Sequence, residues 1–224
     1  MSILTDPAQP RLSAAKVGGA PCGPHLAARL YPPFRRLLEL CFAIGFLIPA
    51  NLVVALPLLV LNPILNPGPL FHRSLRMGQG CRPFHAYKYR TMRVAPGCHS
   101  RGPDDPVELD RVTRLGRFLR RSRFDELPQV LNVFRGEMSL IGPRPDLYHH
   151  ARTYLGTIPG YRDRHGVRPG LSGLAQVELG YVEGRAATAA KTEIDLRYIR
   201  DAGLRLDLWI FWRTMRTVID LAGR

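Results

Sequence analysis

Paired cysteines are missing from this sequence. Cys22, Cys41, Cys81 and Cys98 are scattered without a Cys-x-x-Cys spacing, and Cys41 lies inside an apolar run. That argues against a disulfide framework or a cysteine-ligated metal, and for reduced thiols in a cytoplasmic protein. Acidic side chains are scarce as well: 18 Asp and Glu stand against 32 Lys and Arg, a formal net charge of +14. Such a surplus attracts polyanions, whether nucleic acid, anionic lipid or a nucleotide substrate, and charge alone does not choose among them. A cleavable signal peptide fits poorly, because the apolar run starts late, exceeds an h-region in length and has no small-residue cleavage site behind it. Residues 1–30, rich in Pro, Gly and Ala, carry no helical or strand period and read as a flexible tail. The chain of 224 residues suits one core, or one compact domain with a membrane element, and a multidomain reading is disfavoured.

What is present, and unusual beside so much positive charge, is an almost uncharged stretch over residues 37–65. A straight helix of that composition is long enough to cross a bilayer. Three features favour a helix that dips in and returns. Pro49 removes a donor and frees the Gly45 carbonyl, with Asn51 and Pro57 following, so a kink is expected at Pro49 and the Asn51 amide is expected to serve the freed carbonyl. Arg29, Arg35 and Arg36 precede the run while Arg73, Arg76, Arg82 and Lys88 follow it, and cationic flanks favour the cytoplasmic side at both ends. Glu39 at the start, and Asn62, Asn66, Pro67 and Gly68 at the exit, shorten the purely apolar part. A single span and a buried core helix remain the alternatives.

Beyond the exit, Tyr87, Tyr89 and Thr91 alternate with Lys88, Arg90 and Met92, which is strand spacing that puts Lys88 and Arg90 on one face. Leu115, Phe118 and Leu119 mark the buried side of a helix whose other side is Arg114, Arg117, Arg120 and Arg121. That helix leads to Asp125 and Glu126, adjacent carboxylates inside a basic cluster. Pro128 is tolerable only in a first helical turn, so a helix is expected from Asp125 or Glu126 to Gly136, with both acids at its N-terminus. A basic pocket enclosing a carboxylate pair suits a metal-bound anionic phosphate substrate beside a nucleophile; solvated cations and an ordinary Asp cap are the plainer alternatives. Gly142-Pro143-Arg144-Pro145 and Arg168-Pro169-Gly170 are rigid turns that each fix one arginine. The last segment places Leu204, Leu208, Phe211, Met215 and Val218 on one helical face. Trp209 and Trp212 lie beside it and Arg213 and Arg216 opposite, a pattern for core packing or for a membrane interface.

Taken in order, these segments resemble the bacterial sugar transferase family, the monotopic polyprenyl-phosphate phosphoglycosyl transferases. The resemblance rests on Lys88-Tyr89-Arg90-Thr91-Met92, Thr113-Arg114-Leu115-Gly116-Arg117-Phe118-Leu119-Arg120, Asp125-Glu126-Leu127-Pro128-Gln129 with Asn132-Val133, and Met138 to Pro145. It continues through Arg168-Pro169-Gly170-Leu171-Ser172-Gly173-Leu174-Ala175-Gln176-Val177 and Asp195-Leu196-Arg197-Tyr198. It implies an α/β fold, mostly helical with a small strand element. Residues 31–72 would form a re-entrant membrane helix broken at Pro49, and residues 73–224 a catalytic domain with amphipathic interface helices on the cytoplasmic face of the bacterial plasma membrane.

The resemblance also implies a reaction: a UDP-sugar gives its sugar-1-phosphate to polyprenyl phosphate and UMP leaves. Asp125 would be the nucleophile and Glu126 the residue associated with Mg²⁺. Lys88, Arg90, Arg120, Arg144, Arg168 and Gln176 are the expected phosphate-binding residues. Membrane lipids are expected partners, nucleic acid is not, and a homo-oligomer is compatible with this reading. The chain departs from the family at Ile48, where Ser usually precedes the proline, at Glu39 in place of Asp, and at Ser74 in place of Gln. No segment reads as a sugar-selective pocket. The rival from another class is a non-enzymatic basic adaptor for anionic lipid or nucleic acid, which leaves an acidic pair at the centre of the basic cluster unexplained.

Overall fold

A computed structural model describes residues 33–93, 102, 108–180 and 185–220. The expected tail over residues 1–30 lies outside the described residues, as do Arg29 and most of the Gly/Pro/Asp-rich stretch at 96–106. The description opens on a helix, α1 (Pro33–Phe42), which passes through a π-turn (Ala43–Leu47) into α2 (Ile48–Leu65). Residues Arg35–Leu65 form the one described helix long and apolar enough to cross a membrane.

Pro49 does not interrupt the helical backbone. Leu47 (φ −70°, ψ −36°) and Ile48 (φ −66°, ψ −52°) both keep helical torsions. The missing proline N–H is accommodated one turn upstream, where the Ile48 N–H reaches back to the Ala43 carbonyl in π register. Asn51 takes a different part from the expected one. Its side-chain oxygen accepts from the Tyr89 hydroxyl at 2.8 Å, and among the described residues its amide does not bond the Gly45 carbonyl.

A single stripe of this helix, recurring every three or four residues, packs on the rest of the chain. Arg36 donates to the Val133 carbonyl and Ser139 to Glu39. Ala43, Leu47 and Ile48 meet Phe84, Ala86, Val130, Val133 and Met138. Leu58, Val54 and Ala55 meet Tyr89, Leu119, Leu115 and Leu127. At the exit, Asn62 donates to Gly68 O at 2.9 Å and Asn66 to Arg90 O at 2.8 Å. The opposite side, including Phe46, Val53, Leu56, Val60 and Ile64, is exposed.

The remaining elements are small. Strands β1 (Phe71–Met77) and β2 (Pro83–Tyr89) form an antiparallel hairpin in which His72 faces Lys88 and Met77 faces Pro83. Helix α3 (Arg114–Arg121) leads through a 3₁₀ segment, Phe124–Gln129, into α4 (Val130–Phe134). Strand β3 (Ser139–Ile141) pairs in parallel with β4 (Gly170–Ser172), with α5 (Tyr148–Thr157) between them. Helices α6 (Leu174–Leu179), α7 (Arg185–Asp201) and α8 (Leu204–Ile219) complete the description. The class is therefore mostly helical with two small sheets, as expected.

Two helix faces differ from the periodicity reading. In α3, Leu119 is buried but Phe118 is 54% exposed, its ring meeting Phe124 edge-on at 6.2 Å. In α8, Asp207 and Ile210 are buried while Leu204, Leu208, Trp209 and Trp212 are exposed. The reason is polar: Asp207 pairs with Arg35 at 2.8 Å and accepts from Tyr198 Oη at 2.9 Å. Those bonds turn α8 about its axis and present its most apolar side outward. Phe211 then meets Phe42 edge-on at 5.2 Å, which sets α8 alongside α1.

Candidate active site

The expected helix from Asp125 to Gly136 is split. Pro128 and the crowding around it tighten the first part into 3₁₀ geometry, Phe124–Gln129, and only Val130–Phe134 is α-helical. Arg123 enters this turn with a left-handed backbone (φ 61°), an unusual state for a residue with a Cβ. The result is that Asp125 is 8% exposed and faces the hairpin beside Glu126.

The two acids are not equivalent. Lys88, the penultimate residue of β2, donates Nζ to Glu126 Oε1 at 2.7 Å. Arg144 forks onto both oxygens, with Nη1 at 3.1 Å from Oε2 and Nη2 on Oε1. The Asp125 carboxyl makes no hydrogen bond or ion pair among the described residues. Burial would push both acids up. At Asp125 burial prevails, against the pull of Lys88, Arg144 and Arg120, and the pKa rises to about 6. At Glu126 the burial effect is overcome by Arg144 and Lys88, which hold the carboxyl well below the usual range. Burial lowers the Lys88 pKa, and Glu126 opposes that shift.

Arg120 approaches from α3, where its Nε donates to Thr91 Oγ1 at 2.9 Å. Gly116 makes that approach feasible: a Cβ there would lie 2.0 Å from the Thr91 carbonyl. Arg168 is half-buried at the turn into β4. Gly170 lets that turn meet the Gly142 backbone, since its Cβ would fall 2.2 Å from Gly142 N. Gln176, in α6, has both side-chain amide atoms buried without a hydrogen-bond partner among the described residues.

Arg90, expected on substrate phosphate beside Lys88, is placed elsewhere. It follows the end of β2 and turns inward, donating to Pro69 O at 2.6 Å, Asn66 Oδ1 at 3.1 Å, Met92 O at 2.9 Å and Asn66 O. The guanidinium clamps the exit of the apolar helix. Thr91 and Arg164, by contrast, were not singled out from sequence; Arg164 sits in a run, Tyr161-Arg162-Asp163-Arg164-His165, that carries no signal of burial.

No group of three His, Cys, Asp or Glu side chains suited to a metal occurs among the described residues. Asp125 and Glu126 are the local donors. Both Glu126 oxygens already accept from Lys88 and Arg144, so a divalent cation such as Mg²⁺, which completes its shell from substrate phosphate and water, would take Asp125 and exchange with one of those cations at Glu126.

The sequence over residues 30–221 matches the bacterial sugar transferase family. The chain belongs to that family. A UDP-N-acetylgalactosamine-undecaprenyl-phosphate N-acetylgalactosaminephosphotransferase from Aeromonas hydrophila is 38% identical over 202 residues, covering 90% of this chain and 47% of that protein. A UDP-glucose:undecaprenyl-phosphate glucose-1-phosphate transferase from Caulobacter vibrioides is 42% identical over 181 residues, covering 76% of this chain and 66% of the relative. Exopolysaccharide production protein PSS from Rhizobium leguminosarum bv. phaseoli is 35% identical over 189 residues, 80% of this chain and 94% of its own length. The chain thus spans about half to two thirds of the first two relatives. In this chain the Asp-Glu pair of the family-matched sequence is surrounded by Lys88, Arg120 and Arg144.

Proposed function

We propose that this protein moves sugar-1-phosphate from a UDP-sugar to a polyprenyl phosphate, undecaprenyl phosphate by analogy with the relatives' names, and releases UMP. The observation that carries the reading is the asymmetry of the acid pair: Glu126 is held by Arg144 and Lys88, while the Asp125 carboxylate has no such partner among the described residues. Asp125, with a pKa of about 6, is ionised at neutral pH. Its oxygen attacks the sugar-bearing phosphorus, the bond to the bridging oxygen breaks, and the electron pair leaves with UMP. An oxygen of polyprenyl phosphate then attacks the same phosphorus and returns Asp125 as a carboxylate. Lys88, Arg120 and Arg144 supply positive charge around the transferring group, and in this reading Arg168 and Gln176 take part in binding the substrate phosphates. Glu126, with Asp125 beside it, would hold Mg²⁺, which when bound neutralises diphosphate charge. The test is a panel of UDP-sugars with polyprenyl phosphate and Mg²⁺, read as UMP release; no release from any of them sinks the proposal. The two relatives above are named for different sugars at similar identity, so overall similarity does not choose the sugar.

The adaptor alternative is disfavoured by the family and by the acid pair, which weakens polyanion binding in the absence of a cation. Arg144→Lys separates phosphoryl transfer from generic charge. It keeps the charge and loses the fork, so turnover should fall by about 10-fold or more while the melting temperature stays near that of the wild type. Unchanged turnover would return Arg144 to a purely structural role.

The membrane reading also belongs to this proposal. At 1.5 Å per residue, the helix Arg35–Leu65 of 31 residues is about 46 Å long, against a hydrocarbon core of about 30 Å. It also packs on the same domain from Arg35 to Asn66. A segment held to its domain along that whole length suits a shallow seat in the cytoplasmic leaflet better than a crossing that carries it away. The exposed side of α8, with Trp212 64% exposed and Arg213 over the Trp209 ring at 5.7 Å, and Phe118 of α3 would lie at the same interface. Tags at residues 2 and 224 should therefore be equally protected from an impermeant external label in intact cells. Labelling of the N-terminal tag alone would establish a crossing.

A further inference from the structure

The residues on either side of Arg144 are prolines, so positions 143 and 145 have no N–H and the segment is held through its carbonyls. Every carbonyl in the run has a donor. Pro143 O accepts from Gly170 N at 3.0 Å and Asp146 O from Met77 N at 3.1 Å. Pro145 O accepts from Arg76 Nη1 at 3.0 Å, and Arg144 O from Arg164 Nη2 at 2.9 Å.

The last donor is out of the ordinary. Arg164 is 1% exposed, and so is Asp195, whose Oδ2 lies 2.6 Å from Arg164 Nη2. Asp146 accepts from Arg164 Nη1, from Tyr161 Oη at 2.8 Å and from Lys191 Nζ at 2.6 Å. The Tyr161 ring lies under the guanidinium, 5.1 Å from its carbon. Two cations and two carboxylates thus meet here, Arg164 and Asp195 fully buried and Asp146 and Lys191 half-buried, and burying ions costs several kcal/mol each before pairing. Apolar packing of similar volume often stabilises a fold as well or better. What the ionic cluster supplies is one fixed geometry, delivered to the backbone of the residue that grips Glu126.

We propose that Arg164 is a positioning residue for the transfer: anchored by Asp146 and Asp195, it holds the Arg144 carbonyl so that the Arg144 guanidinium stays forked on Glu126. This rests on the reaction proposed above. It also gives the family's Asp195 segment a purpose, since Asp195 anchors the anchor.

The test is a double-mutant cycle with Arg164→Lys, Arg144→Lys and the two combined, measured as kcat and KM for the UDP-sugar and separately as melting temperature. Lysine keeps one charge for Asp195 but cannot reach Asp146, Asp195 and the carbonyl together. Arg164→Lys should lower kcat about 10-fold while KM changes less than about 3-fold, and the combined variant should be no slower than Arg144→Lys alone. Losses that multiply, or wild-type kcat in folded Arg164→Lys, overturn the proposal. Should that variant fail to fold, Tyr161→Phe, which removes one hydroxyl from Asp146, goes through the same cycle, and a loss that persists in full on the Arg144→Lys background overturns it. A crystal structure of the single variant decides without activity: Arg144 still forked on Glu126 sinks the inference, even if UMP release fails in the wild type and the reaction itself is wrong.

Discussion

Asp125→Asn should leave no covalent phosphosugar adduct after incubation with a UDP-sugar in the absence of lipid acceptor, at any Mg²⁺ concentration. An amide does not serve as the nucleophile, and no other carboxylate in the site lacks a partner. Glu126→Gln should behave differently although charge and neighbourhood are shared. The neutral side chain is a poorer Mg²⁺ ligand, and it leaves Lys88 and Arg144 without their counter-charge at 2.7 Å and 3.1 Å, so turnover falls and the protein is less stable. The attacking group is still present, and some adduct should form. Intact-protein mass reads both outcomes. An adduct that persists in Asp125→Asn and vanishes in Glu126→Gln would exchange the two roles; none in the wild type would favour direct transfer between the substrates.

Arg90→Met should be a stability variant and not a catalytic one. The guanidinium satisfies the Pro69 carbonyl at 2.6 Å, the Met92 carbonyl at 2.9 Å and both oxygens of Asn66, all where the apolar helix rejoins the domain. Removing it strands several buried acceptors. A buried acceptor left unsatisfied costs about 1–3 kcal/mol, so several together are a large part of a typical stability of about 5–15 kcal/mol. Thermal melts in detergent should show the loss, and turnover per folded molecule should stay near wild type. A stable Arg90→Met protein with lost turnover would place Arg90 on the substrate after all.

The contrast between Arg90 and Lys88 shows where a sequence reading stops. They are two residues apart, and strand alternation puts them on one face. The hairpin ends at Tyr89, however, so the alternation no longer applies to Arg90, and the Asn66 turn draws its side chain inward. The face of α8 stayed open between core packing and a membrane interface for a related reason: periodicity ranks apolar positions, but the buried side is set by Asp207 pairing with Arg35, far away in the chain. Pro49 predicts a kink in the helix, whereas the backbone absorbs the proline as a π-turn over Ala43–Leu47 and keeps helical torsions.

By itself the sequence determined what depends on neighbours along the chain. The apolar stretch, the adjacent acids and the turn prolines are local, and their chemistry follows from residue type and spacing. The tertiary structure alone decided which cation meets which acid: that Lys88 and Arg144 hold Glu126 and leave Asp125, that Arg90 serves a turn, and that Arg164 is buried behind Arg144. Those pairings join residues up to 38 positions apart, and an arginine carries the same charge and the same donors wherever it stands. Its partner is set only when burial removes water as the competing one.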